Sequence, residues 1–452
     1  MMLQLTISAF AAVALALRAA AAPIAVEVAL PPLDVDPAGD RNVFATPFDY
    51  GNGHLFTVHV EPPTAAGESE VNLRTVVRHG QRQPDGSWRW QACTVEDRTI
   101  RDPYHTQASI ALDRDGYVHV AYNMHNMPWQ YSVSQHPFDA SAFEFRGQPV
   151  TMAEIGTVHF QIKVPFPTPG EAAIPGNQVT YPAFFKSPQG DLFVTYRYAL
   201  RPARGWEQRA FAGGLARYDT ATRTWSPVGG PVDLSAEDAR LPPGERHARA
   251  YPLIFEDRYS VYLTTLGFDG QGVVHVFWNW RPGGAGMDTI DPSYAWSRDG
   301  RDFKRSDGSP YALPISLRDS DVIAPADRAS SYYAPKSVAV MPDGDPVVVL
   351  SPLTGGRFMR SFDTAAKRWR DAETMPYGAT EIVVDSQGRL WAFASGIKVF
   401  MRQSLAKPWQ VVGEIGTDLR YPRVRYYAED SLFVVHAKSS DDRRVTIVTF
   451  RR

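Results

Sequence analysis

Apolar and polar positions alternate in short runs along most of the chain. After about residue 25, strong helical periodicity is nearly absent, and the runs are rich in Val, Tyr, Phe and Trp. Gly, Pro and Asp interrupt them at short intervals. Alternation with a period of two, β-branched and aromatic residues, and frequent turn residues are typical of β-strands. The pattern therefore predicts an all-β protein.

One pattern recurs along the chain: an apolar strand, a turn centred on Asp or Gly, and a second apolar strand. Such a turn between two alternating runs is typical of a β-hairpin. A repeat of hairpins with this spacing indicates a radially repeated architecture. The seven copies lie at residues 48–60, 112–125, 186–198, 268–280, 341–352, 385–395 and 428–439.

Further strand pairs lie between these copies. YDTATRTW (218–225) and FDTAAKRW (362–369) are near duplicates, and PDGSW (84–88) is similar to them. Two hairpins per unit give four strands per unit. We therefore predict a seven-bladed β-propeller of four-stranded antiparallel blades, which hides its sheet edges by radial closure. No Pro/Ser-rich linker divides the chain, so residues 23–452 are predicted to form one domain rather than separate β-sandwiches.

The segment WSRDGRDF (296–303) resembles the Asp-box of sialidase-type propellers. In that motif Ser, Asp and Gly shape a turn between outer strands. The role is structural, so this copy does not predict sialidase activity.

Composition narrows the setting of the protein. The chain has 452 residues, a formal net charge of −2 and one cysteine, Cys93. The charge balance gives no general attraction to nucleic acid or to an anionic membrane, and one cysteine allows no internal disulfide. The apolar run Leu3–Leu17, followed by small residues, indicates a signal peptide over 1–22. We expect a secreted or periplasmic monomer without stable membrane association.

Candidate chemistry begins with two histidines around the second hairpin. His105 precedes it and His125 follows it. Because a hairpin returns the chain to its starting point, these two side chains are expected to lie side by side. Histidine is the side chain best suited to proton transfer near neutral pH. His119 and His275, which share one repeat position, are instead expected to pack within strands.

The same two positions in the next units carry other reactive groups. In the third unit they are Tyr181 and Arg197, and the fourth unit is expected to open at ERHARAYP with Tyr251. The predicted catalytic residues are His105, His125, Tyr181, Arg197 and Tyr251. The predicted substrate-binding residues are His247, Arg249, Asn279, Arg281, Trp129 and Tyr333.

This set of side chains suits β-elimination from a uronic-acid polysaccharide. Arginine neutralises the substrate carboxylate bidentately, which acidifies the proton on the adjacent carbon. A histidine or tyrosine then removes that proton, and another protonates the departing glycosidic oxygen. The sequence does not tell which of them is base and which is acid. This chemistry requires no cofactor and no metal, and no ligand motif for a structural cation is readable.

The chain resembles the BNR-repeat propellers that include ulvan lyases and rhamnose–glucuronate lyases. The resemblance rests on HTQASIALDRDGYVHVAYNMHN, on TYPAFF followed by VTYRY, and on RAYP. It implies an anionic polysaccharide as partner, cleavage next to a uronate, and a site at His105, His125, Tyr181, Arg197 and Tyr251.

Two alternatives remain open from the sequence. A glycoside hydrolase, for example a rhamnosidase-like member of the same broad family, needs two facing carboxylates, and Asp102, Glu245 and Asp291 form no evident pair. A non-catalytic carbohydrate-binding propeller would use aromatic side chains such as Trp129, Trp278 and Trp280 for sugar stacking.

Overall fold

The structure is a computed structural model. It describes residues 24–36, 44–63, 73–100, 105–148, 174, 177–199, 211–233, 249–282, 289–324, 332–352 and 356–452. The described chain is built of β-strands, with two short 3-10 turns at Pro376–Gly378 and Ala428–Asp430 and no α-helix in these ranges. The all-β prediction is confirmed.

The N-terminal part of the chain contains a single strand and then one complete sheet. Strand β1 (Glu27–Asp34) is followed by a four-stranded antiparallel sheet in chain order. Its strands are β2 (Phe48–Gly51), β3 (His54–Glu61), β4 (Leu73–Arg82) and β5 (Trp88–Thr99). The PDGSW segment forms the turn between the last two, where Arg82 pairs with Trp88.

The second sheet carries the first candidate histidines. Its strands in chain order are β6 (Ser109–Leu112), β7 (Val118–Ala121), β8 (His125–Met127), β9 (Tyr131–Ser134) and β10 (Phe143–Phe145). Four of them form an antiparallel sheet in the order β6-β7-β9-β10. The strand β8 leaves this sheet and pairs with the next strand group instead.

The third group and the small sheet after it occupy the middle of the chain. The third group contains β11 (Asn177–Lys186), β12 (Leu192–Ala199), β13 (Phe211–Asp219) and β14 (Thr224–Pro227). They pair antiparallel in chain order. A separate two-stranded sheet follows, formed by β15 (Val232–Asp233) and β16 (Arg249–Ala250).

The fourth group is joined to the third by one parallel pairing, Phe211 with Ser260. Its strands pair antiparallel in chain order. They are β17 (Tyr259–Phe268), β18 (Val274–Pro282), β19 (Ile290–Ser297) and β20 (Asp321–Val322).

The remaining strands form three further groups, of which the last includes the N-terminal strand. The fifth contains β21 (Tyr332–Val340), β22 (Pro346–Pro352), β23 (Phe358–Asp363), β24 (Arg368–Trp369) and β25 (Glu373–Thr374). The sixth contains β26 (Glu381–Val384), β27 (Leu390–Ala394), β28 (Lys398–Arg402) and β29 (Gln410–Glu414). The last contains β30 (Leu419–Tyr427), β31 (Leu432–Ser439) and β32 (Arg444–Arg451), and its fourth strand is β1.

Every hairpin predicted from the sequence repeat is present. The first strand of each group, called its inner strand, pairs antiparallel with the second across the predicted turn. The inner strands are β2, β6, β11, β17, β21, β26 and β30. The outer hairpins 218–225 and 362–369 also form, with Tyr218 opposite Trp225 and Phe362 opposite Trp369.

Consecutive inner strands contact each other, and side chains connect the last with the first. Inner strands that follow one another in the chain are neighbours from β2 to β30. Asp49 on β2 accepts hydrogen bonds from Arg425 and Tyr427 on β30, at 3.3 and 3.0 Å. Apolar cores lie between neighbouring groups, for example Phe48, Tyr50, Leu432 and Val434 between the first and the last.

Two equivalent histidines of the repeat are part of the core. His119 and His275, at the same position of two second strands, are buried and bonded through Nδ1 to Tyr131 and Tyr294, at 2.5 and 2.8 Å. Buried polar groups require such partners. The prediction that these two histidines pack within strands is confirmed.

Candidate active site

The candidate site is built around one residue of β11. Thr180 lies opposite His125 of β8 on one side and opposite Arg197 of β12 on the other. Its hydroxyl accepts a hydrogen bond from the backbone N–H of Asn126 at 2.9 Å and donates to the side-chain oxygen of Asn126 at 3.1 Å. These bonds attach β8 to the third strand group. His125 is therefore held there, and not at the end of the second hairpin as the sequence suggested.

The two histidines lie side by side, as predicted. The rings of His105 and His125 stack with centroids 3.8 Å apart and an interplanar angle of 3°. The Thr106 hydroxyl next to His105 donates to the Ile100 carbonyl at 2.9 Å, which fixes the turn that carries His105. Both histidines interact with further residues of the protein. The ring of Tyr181 follows in the same row, 5.7 Å from that of His105.

Tyr181 stands in an unusual backbone conformation. Its φ is +60°, and the pairing of β11 with β12 shifts register between Thr180 and Ala183. A left-handed tyrosine inside a β-bulge is costly and persists only where the surroundings impose it, most often at functional sites. The bulge directs the Tyr181 ring toward the arginine of the neighbouring strand, with the guanidinium carbon of Arg197 4.6 Å from the ring centroid.

Arg197 is buried among aromatic rings. Arg197 is 8 % exposed. Its guanidinium carbon also lies 4.5 Å from the ring centroid of Phe211 and 5.6 Å from that of Tyr262. Its Nε has no hydrogen-bond partner. Among the described residues no carboxylate forms an ion pair with it. Buried charges are normally paired, so within the described residues this cation lacks the carboxylate that its burial demands.

Tyr262 completes the cluster and was not identified from the sequence. It lies on β17, its ring meets that of Tyr181 edge-on at 5.9 Å, and the Arg281 guanidinium is 5.8 Å away. Burial raises the pKa of Tyr181 above its ordinary range, and the hydrogen bond with Tyr262 raises it further, whereas Arg197 opposes the shift. The hydroxyl of Tyr181 is therefore protonated at neutral pH.

The predicted role of RAYP as the start of the fourth inner strand is wrong. Arg249 lies on β16, which pairs with β15, and Tyr251 follows in the connection to β17. The inner strand begins only after the turn at Asp257 and Arg258, and Tyr262 occupies the place expected for Tyr251. The described contacts do not bring Tyr251 to the cluster. In the sequence, the turn at Asp257 and Arg258 is the feature that separates RAYP from the inner strand.

The other predicted binding residues are distributed unevenly. Arg281 joins the cluster through Tyr262, and Asn279 is buried beside it, with its amide donating to Thr289 at 2.6 Å. Tyr333 lies on the inner strand β21, opposite Ser351. His247 lies outside the described residues.

Trp129 does not contribute a sugar-stacking surface. The indole is 0 % exposed and packs in the core against Tyr131 and Tyr196, at 5.4 and 6.4 Å. Trp278 and Trp280 are buried in the same way. Their size and apolar surface favour the core between strand groups, so the prediction of a tryptophan-lined rim is wrong.

The cluster borders a cavity between the inner strands, called the central channel below. A cavity of about 640 Å³ is bordered by inner-strand residues that follow the site tyrosines in sequence, such as Lys186 after Tyr181 and Thr264–Phe268 after Tyr262. Phe44 belongs to this wall and contacts the Tyr181 ring at 4.3 Å. A smaller cavity of about 10 Å³ lies against Tyr181 and Arg197 and shares Thr264 with the larger one.

The described ranges contain neither a metal-ligand cluster nor a membrane-spanning helix. No group of three or more His, Cys, Asp or Glu side chains in them is arranged to hold a metal ion. No helix in the same part of the chain is long and apolar enough to span a membrane.

Comparison with known proteins identifies the family. The profile of the BNR repeat-containing family matches residues 71–389, which is more than half of the chain. The chain belongs to the BNR repeat-containing family. No curated protein sequence matches this family member.

Two solved structures share its fold. The crystal structure of the polysaccharide lyase Uly1 aligns with a TM-score of 0.63 at 12% identity, covering 90% of both chains. An ulvan lyase of family PL25, solved bound to -[GlcA(1-4)Rha3S]-, aligns with a TM-score of 0.60 at 12% identity. That alignment covers 92% of this chain and 95% of the lyase.

Proposed function

We propose that this protein is a secreted polysaccharide lyase that cleaves a uronic-acid-containing glycan by β-elimination. The observation that carries the proposal is the buried guanidinium of Arg197. It lies against Tyr181, beside the stacked pair His105–His125, without a described carboxylate partner. A substrate carboxylate is the group that this arrangement lacks.

The proposal includes the architecture of a seven-bladed β-propeller. The seven inner hairpins, the contacts between consecutive inner strands, and the bonds from β30 to Asp49 support it. Strand β1 pairs with β32 and so supplies the outer strand of the last group. A chain that closes its ring with its own first strand is held at the junction of its two ends.

The first step of the reaction is charge neutralisation. A bound uronate places its carboxylate against Arg197, where the planar fork of the guanidinium forms two parallel hydrogen bonds. The positive charge stabilises the electron pair that develops on the carboxylate when the neighbouring carbon loses its proton. Low exposure at Arg197 strengthens this attraction, since water does not screen it.

The second step transfers two protons. A histidine of the stacked pair takes the proton from the carbon next to the carboxylate, and the released electron pair forms a carbon–carbon double bond. The bond to the glycosidic oxygen breaks, and that oxygen takes a proton from Tyr181. The raised pKa of Tyr181 argues against a role as base at neutral pH, and its protonated hydroxyl is left as the proton donor.

The substrate class follows from the site and from the fold relatives. A site with one unpaired guanidinium fits a repeating unit with one carboxylate. The PL25 ulvan lyase with the same fold was solved with a glucuronate–rhamnose glycan. We therefore propose ulvan or a related rhamnose–glucuronate glycan as the substrate.

One assay distinguishes this function from its alternatives. Incubation with ulvan is expected to produce ultraviolet absorbance from unsaturated uronate together with new reducing ends. Reducing ends without that absorbance would show a hydrolase. Binding with neither product would show a carbohydrate-binding propeller.

Site variants make the assay specific. His125→Ala is expected to reduce lyase activity by about 10²–10⁴-fold, the usual contribution of a proton-transfer group. His136→Ala is the matched control, because His136 is exposed on the turn between β9 and β10. Full activity of the His125 variant would overturn the site assignment.

Secretion belongs to the same proposal. The apolar N-terminal run, residues 1–22, supports export but lies outside the described residues. N-terminal sequencing of protein from the culture medium or periplasm is expected to find this segment removed.

A further inference from the structure

The central channel contains charged side chains that the lyase proposal does not use. Its cavity of about 640 Å³ lies inside the ring of inner strands, beyond the rim cluster. None of the residues given a catalytic role lines it; Phe44 connects the two through its contact with Tyr181.

Three charged residues from neighbouring strands meet at one level of the wall. Lys336 comes from β21, Glu381 from β26 and Arg423 from β30. The Arg423 Nη1 donates to the Glu381 carboxylate at 3.0 Å and to the Lys336 carbonyl at 3.5 Å. Two cations therefore lie near one carboxylate, and only Arg423 is bonded to it.

Donor groups of both cations are without partners in the described part of the chain. No hydrogen bond or ion pair of the Lys336 ammonium is found there. The Nε of Arg423 is buried and has no hydrogen-bond partner. Both side chains line the cavity, so the Lys336 ammonium and the positive charge of the Arg423 guanidinium act on a group inside it.

Other charged groups along the channel are satisfied or exposed. Asp49 is bonded to Lys186 at 2.8 Å and to Arg425 at 3.3 Å, and Asp385 to Arg389 at 2.6 Å. Glu429 is exposed at the far end of β30. Lys336 is therefore the cation of the channel wall whose charged group has no bonded partner among the described residues.

Burial shifts the pKa values of Lys336 and Glu381 in opposite directions. Burial lowers the pKa of Lys336 to about 8, and the neighbouring Arg423 lowers it further. Burial raises the pKa of Glu381 to about 7, although Arg423 and Lys336 oppose the shift. Near neutral pH the carboxylate is thus partly protonated, and the two cations are left less compensated.

We propose that Lys336 and Arg423 bind a small oxyanion of the sulfate, phosphate or carboxylate class inside the channel. The ammonium donates to its oxygens, the Arg423 guanidinium adds a second positive charge beside it, and Ser337 and Thr264 supply further polar wall. Charge-assisted hydrogen bonds to an oxyanion are among the strong ones in proteins. The site stands independently of the lyase proposal, since no step of that reaction passes through it.

Calorimetric titration with inorganic sulfate tests the site directly. At constant ionic strength, with chloride as the reference anion, the protein is expected to bind sulfate. Lys336→Met is expected to weaken this binding by at least about tenfold, because it removes one charged donor. Lys398→Met is the matched control, since Lys398 pairs with Glu414 outside the channel.

A second variant covers the case that Lys336→Met folds poorly. Arg423→Gln removes the second positive charge, and it is expected to weaken sulfate binding severalfold. Sulfate heats no larger than those of chloride, or equal affinity in wild type and both channel variants, would overturn the proposal.

The pH dependence gives an independent reading. The charged groups facing Glu381 are Lys336 on β21 and Arg423 on β30, and Arg357 also acts on Lys336. Sulfate affinity is expected to fall from pH 6 to pH 9 in two steps, near 7 as Glu381 ionises and near 8 as Lys336 loses its proton. Glu381→Gln should retain only the upper step; a persisting lower step contradicts the assignment.

Competition distinguishes a free ion from one carried by a glycan. If the oxyanion belongs to a sulfated oligosaccharide, inorganic sulfate should weaken binding of the sulfated form and leave the desulfated form unaffected. If the site takes a free ion, sulfate should affect neither. Both results keep the site and assign its source, and neither depends on lyase activity.

Discussion

Arg197 and Arg425 are two arginines on the inner side of the same ring of strands, but their surroundings differ. Arg425 bonds to the fully buried carboxylate of Asp49, which also accepts from Lys186 and Tyr427. Burial opposes ionisation of Asp49, yet Lys186 and Arg425 outweigh it and lower its pKa. Arg197 is surrounded by aromatic rings and has no such carboxylate in the described ranges.

The difference separates a structural charge from a ligand-binding charge. The Asp49 network joins four strand groups, because the Leu112 amide of β6 donates to the same carboxylate at 2.8 Å. Its energy contributes to holding the ring together. The Arg197 charge joins no strand groups through an ion pair, so its electrostatic energy remains available to a bound anion.

Removal of Asp49 should have the largest effect on stability. Asp49→Ala leaves Lys186 and Arg425 without their shared carboxylate, and breaking such a buried pair costs about 3–5 kcal/mol. We expect the denaturant midpoint to fall accordingly while the unfolding slope stays the same. The exposed turn residue Asp85→Ala is the control and should change little. Equal midpoints of the two variants would contradict the structural role.

Removal of Arg197 should act in the opposite sense, on activity rather than on stability. Arg197→Met is expected to lower kcat by about 10²–10³-fold, the typical effect of losing a preorganised charge-stabilising donor. Its free energy of unfolding should stay within about 1 kcal/mol, since removing a buried charge offsets the cation–π contacts that are lost. Arg217→Met, on the exposed face of β13, is the matched control. A large loss of stability with full activity would erase the distinction between the two arginines.

The sequence predicted those features that depend on neighbouring residues. Each inner hairpin was recognisable because its turn and its alternating strands are local, as in 112–125 and 268–280. The contact of His105 with His125, and the adjacency of Tyr181 and Arg197, followed from that repeat. The pairing of β8 with β11 did not, because it joins strands from different groups.

Features that depend on the packing of distant strands were missed. The sequence does not identify Tyr262, because RAYP has the same short pattern as TYPAFF although the turn at 257–258 separates it from the strand. Trp129 was misplaced because an aromatic side chain suits both a sugar-binding rim and a core between sheets. The network at Asp49 joins residues from both ends of the chain, and no local pattern marks it.

The buried carboxyl of Glu381 combines the two situations, because Arg423 bonds to it while burial still raises its pKa. Burial raises its pKa from 4.5 to about 7, so the folded state holds a proton that the unfolded state has lost between these pH values. Stability should therefore fall as pH rises through that window, by up to about 1.4 kcal/mol per pH unit. Glu381→Gln should remove this slope in pH-dependent denaturation without added sulfate. A slope that persists in the variant would show that another group titrates.

Tyr262 gives the smallest and most specific test of the rim. Tyr262→Phe removes the hydrogen bond with Tyr181, and with it one cause of the raised pKa of Tyr181. We expect kcat to fall by about tenfold, the value of one lost hydrogen bond, with KM little changed because Arg197 still holds the uronate. The pH at which kcat is highest should not move, because burial keeps Tyr181 protonated in the variant as well. Tyr259→Phe, on the same strand, should leave kcat unchanged. If both variants behave alike, Tyr262 only fills space beside Arg197, and the acid role of Tyr181 loses its support.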